Sequence, residues 1–416
     1  MMIQRNLTPI LLSALADTPV VVLHGARQTG KSTLVQTLIA SQHPARYLTL
    51  DDLTVLAAAQ NDPVGFLAGL SDAGENIALD EVQRAPELLL AMKAEVDRNR
   101  RPGRFLLTGS ANALFIPRLA EALAGRAEIF TLYPLGQDEL AGIRGGIIDA
   151  LFATEFPVLK TVSLDRTQLW TQILTGGYPE VIQRANASRR RAWFNAYIQT
   201  ILQRDVRDMA NIEGLTQLPR LLALLATRAT SLMNVADLAR SLDMPQTTLK
   251  RYLALLDATF LTQMTPAWAS NLGKRLVKAA KLNLVDTGLL AYLLGVDLER
   301  LNAEPHWSGM LLENFVNMGL RKQATWSDTQ PQLFHFRTQT GHEVDIVLED
   351  RRGRVVGIEV KASATVHAQD FKGLKLLADE TANQFMRGIV LYTGAEAIPF
   401  GKNLWALPVT SLWQFG

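Results

Sequence analysis

The sequence predicts an α/β protein of several domains: a parallel-sheet domain first, helical segments in the middle and a second α/β unit at the C-terminus. Three observations support this prediction: a glycine-containing loop motif after an apolar strand, a second apolar strand ending in Asp-Glu, and late strands carrying Asp, Glu and Lys. At 416 residues, the chain is expected to form two to four domains of about 100–200 residues each.

The first element is a phosphate-binding loop. Residues 25–33 fit the pattern G-x-x-x-x-G-K-[ST] and follow the apolar run Val20 to Leu23, which predicts a strand, a tight loop and a helix beginning near Lys31. Backbone N–H groups of such a loop surround phosphate oxygens, and the helix N-terminus adds its positive dipole end. Lys31 is expected to reach the β and γ phosphates, and Ser32 to ligate Mg²⁺. The residues predicted to bind ATP here are Gly25, Ala26, Arg27, Gln28, Thr29, Gly30, Lys31, Ser32 and Thr33.

The second apolar strand, Asn76 to Asp80, ends in the acidic pair Asp80-Glu81. We expect Asp80 to hold the Mg²⁺ shell beside the nucleotide and Glu81 to polarise the attacking water. The alternatives are a chance loop match and an ordinary solvated turn. Neither explains why an apolar strand precedes each motif.

Two more strand-like runs extend the predicted sheet. The run Arg46 to Leu50 ends in Asp51-Asp52, and the run Arg104 to Leu107 leads to Ser110 and Asn112. Ligands of open α/β sheets bind beyond the carboxyl ends of the strands. Ser110 or Asn112 is therefore a candidate γ-phosphate sensor, with helix capping as the alternative for each.

Arg126 begins a further strand that stops at Pro134. This arginine is either a structural ion-pair partner in its own subunit or an arginine finger that stabilises transition-state charge in a neighbouring subunit. Arg27 carries the same two readings. Arg126 is therefore a candidate catalytic residue.

Composition narrows the functional classes. The 42 Lys and Arg against 40 Asp and Glu give a formal net charge of +2, so bulk charge does not indicate nucleic-acid binding and any DNA contact needs a local patch. The absence of cysteine excludes disulfides, thiolate catalysis and Cys-based zinc sites, and the six histidines show no metal-ligand spacing. No apolar run approaches the ~20 residues of a membrane span, and no cleavage site is evident. We expect a cytoplasmic protein without a membrane partner.

The middle of the chain is predicted to be helical from about residue 164 to 228, as a lid over the nucleotide. Arg204, Asp205 and Arg207 are expected either near the phosphates or, with more weight, on a solvent-facing salt-bridged surface.

Two short amphipathic helices, Asn234 to Leu242 and Pro245 to Leu256, have the spacing of a helix-turn-helix. This motif either reads DNA or serves as a packing module. A basic stretch from Asn271 to Lys281 favours the interpretation that this motif binds DNA. The second helix carries Thr247, Thr248, Lys250 and Arg251.

The C-terminal part predicts a helix with Glu313, a strand with Asp345 and a strand with Glu359 and Lys361. Residues two apart share a strand face, so Glu359 and Lys361 point together, and a hairpin would bring Asp345 beside them. Hard carboxylate oxygens of Asp345 and Glu359 suit Mg²⁺ or Mn²⁺, which activates water for phosphodiester hydrolysis. The alternative is a nuclease-like fold that binds DNA or protein without cutting.

These motifs, together with Gly176-Gly-Tyr-Pro-Glu180 and Asp286-Thr-Gly-Leu-Leu, resemble the AAA+-type ATPases of bacteria and archaea that carry a C-terminal domain of unknown function. That last domain is similar to the PD-(D/E)XK endonuclease superfamily, although Val344-Asp345 replaces its leading Pro-Asp. The resemblance implies an ATPase, a winged helix-turn-helix and a restriction-endonuclease-like domain in that order. With the helical lid, we expect an ATPase core over residues 1–160, the lid over 161–230, the winged helix-turn-helix and connector over 231–300 and the nuclease-like domain over 301–416.

From the resemblance and the residues together, Lys31, Ser32, Asp80 and Glu81 form the nucleotide site, and Glu313, Asp345, Glu359 and Lys361 form the candidate nuclease site. The functional hypothesis is an ATP-hydrolysing, DNA-processing protein whose ATP state controls a metal-dependent C-terminal site. A homo-oligomer is expected. The alternatives are a nucleotide-dependent switch or scaffold without cleavage and a transcriptional regulator.

Overall fold

The N-terminal part of the chain is built on a sheet of five parallel strands. The computed structural model describes residues 3–71, 74–110, 115–157, 164–205 and 217–414. The sheet order is β2-β3-β4-β1-β5, all neighbours being parallel. Its strands are β1 Val20–His24, β2 Ala45–Thr49, β3 Asn76–Asp80, β4 Phe105–Gly109 and β5 Ala127–Thr131. The predicted parallel sheet is therefore confirmed.

Helices cover both faces of this sheet. Val20 and Val22 of β1 pack into one apolar cluster, whereas Val21 and Leu23 pack into the cluster on the opposite face. Burial on both faces explains why the strands read as continuous apolar runs. The helices are α1 Thr8–Asp17, α2 Lys31–Ser41, α3 Leu53–Asn61, α4 Pro63–Ser71, α5 Leu88–Arg98, α6 Phe115–Leu123, α7 Gln137–Ala141 and α8 Ile147–Phe152, with a 3₁₀ turn at Val82–Arg84.

The middle of the chain is mainly helical and contains two antiparallel strands that pair with each other. Asn234 caps the helix Val235–Leu242 by accepting from the Asp237 N–H, and Asp243, at φ 50°, ends that helix, so the turn predicted between two short helices is present. The elements are α9 Arg166–Thr175, α10 Pro179–Ile182, α11 Ala187–Thr200, a π-helical turn Ile201–Asp205, α12 Leu218–Ala226, α13 Val235–Leu242, α14 Gln246–Ala258, β6 Thr262–Thr265, α15 Leu272–Val277, β7 Lys281–Leu284, α16 Thr287–Leu294 and α17 Leu298–Ala303.

The C-terminal part is a six-stranded mixed sheet between two helices, in the order β12-β13-β11-β10-β9-β8. Ile346 and Ile358 belong to the apolar cluster of the helix Trp307–Ala324, whereas Val347 and Val355 belong to that of the helix Lys372–Thr381. The elements are α18 Trp307–Ala324, β8 Gln332–Arg337, β9 Glu343–Glu349, β10 Val355–Lys361, α19 Lys372–Thr381, β11 Phe385–Tyr392, β12 Ile398–Gly401, β13 Leu404–Pro408 and α20 Ser411–Gln414, with 3₁₀ turns at Ala368–Phe371 and Ala382–Gln384.

The three parts meet at one polar junction. The Gly177 N–H donates to Asp286 Oδ2 (2.7 Å), the Gly177 carbonyl accepts from the Leu135 N–H (2.8 Å), and Lys322 Nζ donates to the Leu135 carbonyl (3.0 Å). A Cβ at Gly177 would lie 2.1 Å from the Leu135 oxygen, so only glycine allows this approach. The motifs at 176–180 and 286–290 thus join the parts of the chain. Within the described ranges, no helix is long and apolar enough to cross a lipid bilayer.

Candidate functional site

The phosphate-binding loop connects the C-terminal end of β1 to the N-terminus of α2. Gly25 has φ 149°, and a Cβ there would lie 2.2 Å from the Leu132 carbonyl oxygen, so the loop requires glycine at its start. Lys31 is buried, and its Nζ donates to the carbonyls of Gly25 (3.0 Å) and Ala26 (2.8 Å). The ammonium group therefore lies inside the curve of the loop, beside the helix N-terminus that favours phosphate.

Asp80 lies directly beside this loop. Its Oδ2 accepts from the Ser32 hydroxyl (2.8 Å) and the Tyr47 hydroxyl (2.7 Å), and its Oδ1 accepts from the Thr108 hydroxyl. Burial, followed by the hydrogen bond to Asp80, raises the pKa of Tyr47 above its usual range, so the phenol remains a donor at neutral pH. Ser32 and Asp80 bring hard oxygen donors together, which fits Mg²⁺, and these two residues would hold the ion.

Glu81 forms a polar cluster with Gln83 and Ser110. Ser110 Oγ donates to Glu81 Oε2 (3.0 Å), and Gln83 Nε2 donates to Ser110 Oγ (3.0 Å) and to Glu81 Oε2. Glu81 has φ 56°, a conformation that non-glycine residues adopt at a cost of about 1–2 kcal/mol. The surrounding hydrogen bonds hold its carboxylate at the end of β3, beside the Asp80 cluster.

Arg5, in the N-terminal segment, hydrogen-bonds a backbone carbonyl of the phosphate-binding loop. Arg5 donates from Nε to Glu139 Oε1 (3.0 Å), and its two terminal nitrogens donate to the carbonyls of Thr29 (2.8 Å) and Tyr133 (2.6 Å). Glu139 also accepts from the backbone N–H groups of Asn6 and Gly136. The planar Arg5 guanidinium thus connects the Thr29 carbonyl of the loop to Glu139 of α7.

The middle helices contact the same loop. The Tyr197 hydroxyl of α11 donates to the Arg27 carbonyl (3.4 Å) and hydrogen-bonds the buried Tyr178 hydroxyl (3.0 Å). His24, the last residue of β1, hydrogen-bonds Thr131 Oγ1 (2.8 Å), and its ring lies 5.4 Å from that of Phe260. Burial, followed by the charge of Lys31, lowers the pKa of His24 to about 4. Tyr197 and Phe260 therefore connect the phosphate-binding loop and the end of β1 to the middle part of the chain.

Arg126, a candidate catalytic residue, lies away from the phosphate-binding loop of its own chain. Arg126 pairs with Asp97 through two hydrogen bonds, of 2.5 and 2.9 Å, and its carbonyl accepts from the Val20 N–H at the start of β1. Because the loop follows the other end of this five-residue strand, Arg126 is about 16 Å from its own phosphate loop. The structural ion pair is present, and the role in a neighbouring subunit stays a prediction.

The acids after β2 serve the local structure. Asp51 pairs with Arg84 (2.7 Å), and Asp52 caps α3 by accepting from the N–H groups of Thr54 and Val55. They are not part of the Asp80 cluster. Asn112, Arg207 and the side chains of Arg204 and Asp205 lie outside the described residues.

The C-terminal acidic site combines four predicted residues. Asp345 on β9 accepts from the Val360 N–H (2.9 Å) across the β9–β10 hairpin. Lys361 Nζ donates to Glu359 Oε1 (2.9 Å), as expected for residues two apart on one strand. Burial, followed by the charge of Asp345, raises the pKa values of Glu313 and Glu359 well above the usual glutamate range. The site thus concentrates carboxyl groups that repel one another.

A fifth residue enters this site from the middle hairpin. Lys281, the first residue of β7, places its Nζ 2.8 Å from Glu313 Oε1 and 3.2 Å from Asp345 Oδ1, and it is 4% exposed. Burial lowers the pKa of Lys281, but Asp345 and Glu313 outweigh this effect and raise it overall. Arg275 of the same basic stretch is paired with Glu349 (3.1 Å). Arg275 and Lys281 thus pair with acids of the same chain, and DNA binding by the basic stretch stays a prediction.

The predicted DNA-reading helix, α14, presents part of its basic face. Thr247, Lys250 and Arg251 are exposed and Thr248 is half-buried, whereas Leu249 and Tyr252 are buried in the core. DNA reading stays a prediction.

Sequence reasoning missed Arg5, Tyr47, Thr108 and Lys281 as site residues. Thr108 could have been predicted, because its hydroxyl lies near the end of β4, two residues before Ser110. Arg5 and Lys281 act over separations of 134 and 64 residues to Glu139 and Asp345, and no local motif marks them.

The fold and the loop together define a P-loop ATPase-type domain, and the comparisons agree. Residues 17–141 match the family model described as an AAA domain. Residues 166–300 match the domain of unknown function DUF8612, and residues 308–412 match the domain of unknown function DUF4143. The endonuclease-like assignment of the last unit stays a prediction.

The chain is 33% identical over 420 residues to the uncharacterized proteins Rv2008c of Mycobacterium tuberculosis and Mb2031c of Mycobacterium bovis, covering 99% of this chain and 85% of each relative. The chain belongs to the same protein family as these two relatives.

Two solved structures show only distant similarity. The Signal Transduction ATPase with Numerous Domains (STAND) protein with a tetratricopeptide repeat sensor from Pyrococcus horikoshii has a TM-score of 0.27 at 14% identity, covering 77% of this chain and 45% of that one. AMPPCP-bound DnaA from Aquifex aeolicus has a TM-score of 0.29 at 12% identity, covering 61% and 86%.

Proposed function

We propose that the N-terminal domain binds and hydrolyses ATP. The observation that carries this proposal is the contact between Ser32 and Asp80 directly beside the phosphate loop. Lys31 and the loop N–H groups bind the phosphates, and Glu81 orients and polarises the attacking water. When bound, Mg²⁺ neutralises phosphate charge, and Ser32 and Asp80 would hold it.

Phosphate release from Mg-ATP by the full chain tests this activity. We expect turnover in the wild type and its loss in Lys31→Ala, because the ammonium inside the loop is removed. Wild type that releases no phosphate from any nucleoside triphosphate, alone or with DNA, would refute the hydrolysis.

We further propose that the protein processes DNA as a homo-oligomer in the cytoplasm, with its ATP state controlling a nuclease-type C-terminal site. Support comes from Asp345, Glu359 and Lys361 meeting on adjacent strands, with Glu313 approaching from α18. We expect nicking of duplex, single-stranded or branched DNA to be lost in Asp345→Ala and Lys361→Ala while ATP turnover persists. Absence of cleavage of every substrate by the wild type would contradict a nuclease.

A second function is favoured by one observation. Lys281 already neutralises Glu313 and Asp345, which suits a domain that binds DNA or protein without cutting and reports the nucleotide state. This switch or scaffold predicts ATP-driven assembly, visible in sedimentation velocity, with Glu359→Ala affecting only affinity. Cleavage lost in Glu359→Ala would exclude it.

A further inference from the structure

A cavity opens between four helices of the middle part of the chain. It lies where α9, α11, α16 and the start of α17 meet, and its volume is about 280 Å³. Voids larger than a water molecule are few in a protein core, and small-molecule pockets usually measure about 300–1,000 Å³. The described residues that line this cavity include none from the phosphate loop or the C-terminal acidic site. The cavity therefore has about the size of a separate site for a small ligand.

Small residues of α16 leave this space unfilled. Gly288, Ala291 and Gly295 recur at helical spacing along the side that borders the cavity. At Gly288 the helix touches α9, because a Cβ there would lie 2.3 Å from the Thr175 carbonyl oxygen. One turn further along, Ala291 contributes only a methyl group, so the gap between α16 and α11 stays open.

The walls of the cavity are mainly apolar. The rings of Phe194 and Tyr292 stack with their centroids 5.7 Å apart and their planes at 27°. Phe194 and Val296 are buried, whereas Leu174 and Leu298 are only partly buried and border the same space. Because apolar surface in contact with water favours burial, these walls suit the apolar body of a ligand.

Arg190 borders the cavity from α11, four residues before Phe194 and on the same helix face. Its terminal nitrogens donate to two uncharged acceptors, the Thr175 hydroxyl and the Ala185 carbonyl (3.3 Å). Within the described ranges, no carboxylate pairs with Arg190, and its buried Nε has no hydrogen-bond acceptor. A half-buried guanidinium whose charge lacks a carboxylate partner favours an anion beside it.

The other charged residues at the cavity do not cancel this charge. Arg191 and Asp297 also border the cavity, and their side chains are 58% and 53% exposed and 3.6 Å apart, so they pair only weakly with each other. Together with Arg190, the charged lining amounts to two cations and one anion, a net charge of +1. The complementary ligand is therefore an anion with an apolar body.

We propose that this cavity is a binding site for a small apolar carboxylic acid. The ligand carboxylate pairs with the Arg190 guanidinium, whose planar fork matches a carboxylate through parallel hydrogen bonds. The apolar body of the ligand, an acyl chain or an aromatic ring, lies against Phe194 and Tyr292. This site is independent of ATP hydrolysis and of the C-terminal acidic site.

Isothermal titration calorimetry of the nucleotide-free full chain with octanoate and with naphthoate tests the site. We expect saturable binding of at least one of these acids at one site per chain, and the acid that binds identifies the body that the cavity accepts. The uncharged amide of the same acid should bind about tenfold or more weakly, because it lacks the charge-assisted hydrogen bonds.

Two variants separate the charge from the cavity. Arg190→Met should weaken binding about tenfold or more, whereas Arg189→Met, which removes an exposed neighbouring arginine that does not border the cavity, should bind as the wild type does. Ala291→Met fills the space beside α11 with a flexible apolar side chain and leaves the charges unchanged. It should abolish binding.

Failure of both acids to saturate the wild type would overturn the proposal, as would equal affinities for the acid and its amide. Equal affinities of Arg190→Met and Arg189→Met, or full binding by Ala291→Met, would also overturn it, because the ligand would then bind elsewhere. If gel filtration shows that Arg190→Met or Ala291→Met does not fold, the comparison of acid and amide on the wild type decides the question without any substitution.

Discussion

The arginine behind the phosphate loop yields a stability prediction that the structure makes quantitative. Arg5 is 9% exposed and the Glu139 side chain 1%, so Arg5→Met leaves a buried carboxylate without its cation. Breaking a buried ion pair costs about 3–5 kcal/mol. Glu139 keeps two backbone donors, which lowers the cost, but the Thr29 and Tyr133 carbonyls lose theirs, at about 1 kcal/mol each. We therefore expect a loss of about 3–5 kcal/mol in the free energy of unfolding.

Urea unfolding followed by tryptophan fluorescence measures this loss. With a slope of about 1–3 kcal/mol per M, the midpoint should fall by about 1 M or more. The matched control is Arg98→Met, which removes an arginine that is 69% exposed and pairs with Glu95, so its cost should stay below about 1 kcal/mol. Equal midpoints for the two variants would refute the supporting role of Arg5.

Three further predictions concern the catalytic acid, a buried histidine and the exposed basic helix. Glu81→Gln should leave ATP affinity unchanged and reduce turnover about 100-fold or more in a phosphate-release assay; unchanged turnover would exclude Glu81 as the general base. His24 has a folded pKa of about 4, below its unfolded value of about 6.5, so the unfolded chain binds the extra proton and stability falls by about 3 kcal/mol as pH drops from 6.5 to 4. His24→Asn should lack this component in urea titrations, and an identical pH profile would count against it. The double variant Lys250→Ala, Arg251→Ala should reduce the slope of log affinity for DNA against log salt concentration by about 2. An unchanged slope would show that these two side chains do not contact DNA phosphates.

Local patterns were sufficient to predict which residues of the N-terminal domain lie together beside the loop. The loop motif, the apolar run before it and the strand ending at Asp80 are each contiguous, so the sequence predicts both the strands and the edge where they meet. Ser110 lies in the predicted crevice, where it hydrogen-bonds Glu81 and Gln83, and its role as a γ-phosphate sensor stays a prediction. The sequence predicted a parallel sheet but not the order of its strands, and the bounds of the two short helices agree within about two residues.

Pairs of side chains that are far apart in the sequence could not be predicted from it. Arg275 and Lys281 fall within one basic stretch, and their charge alone suggested a surface for DNA. Glu349 and Asp345 neutralise them from 74 and 64 residues away. Local charge patterns do not reveal such pairs, because tertiary packing decides whether a cation faces solvent or an acid.

ATP binding to the phosphate loop tests the central claim most directly. Isothermal titration calorimetry of the full chain with Mg-ATP should show saturable binding that Lys31→Ala removes, while Lys93→Ala, which changes an exposed lysine of the same domain, should bind as the wild type does. Wild type that retains no nucleoside triphosphate, or Lys31→Ala that binds as tightly as the wild type, would contradict the account.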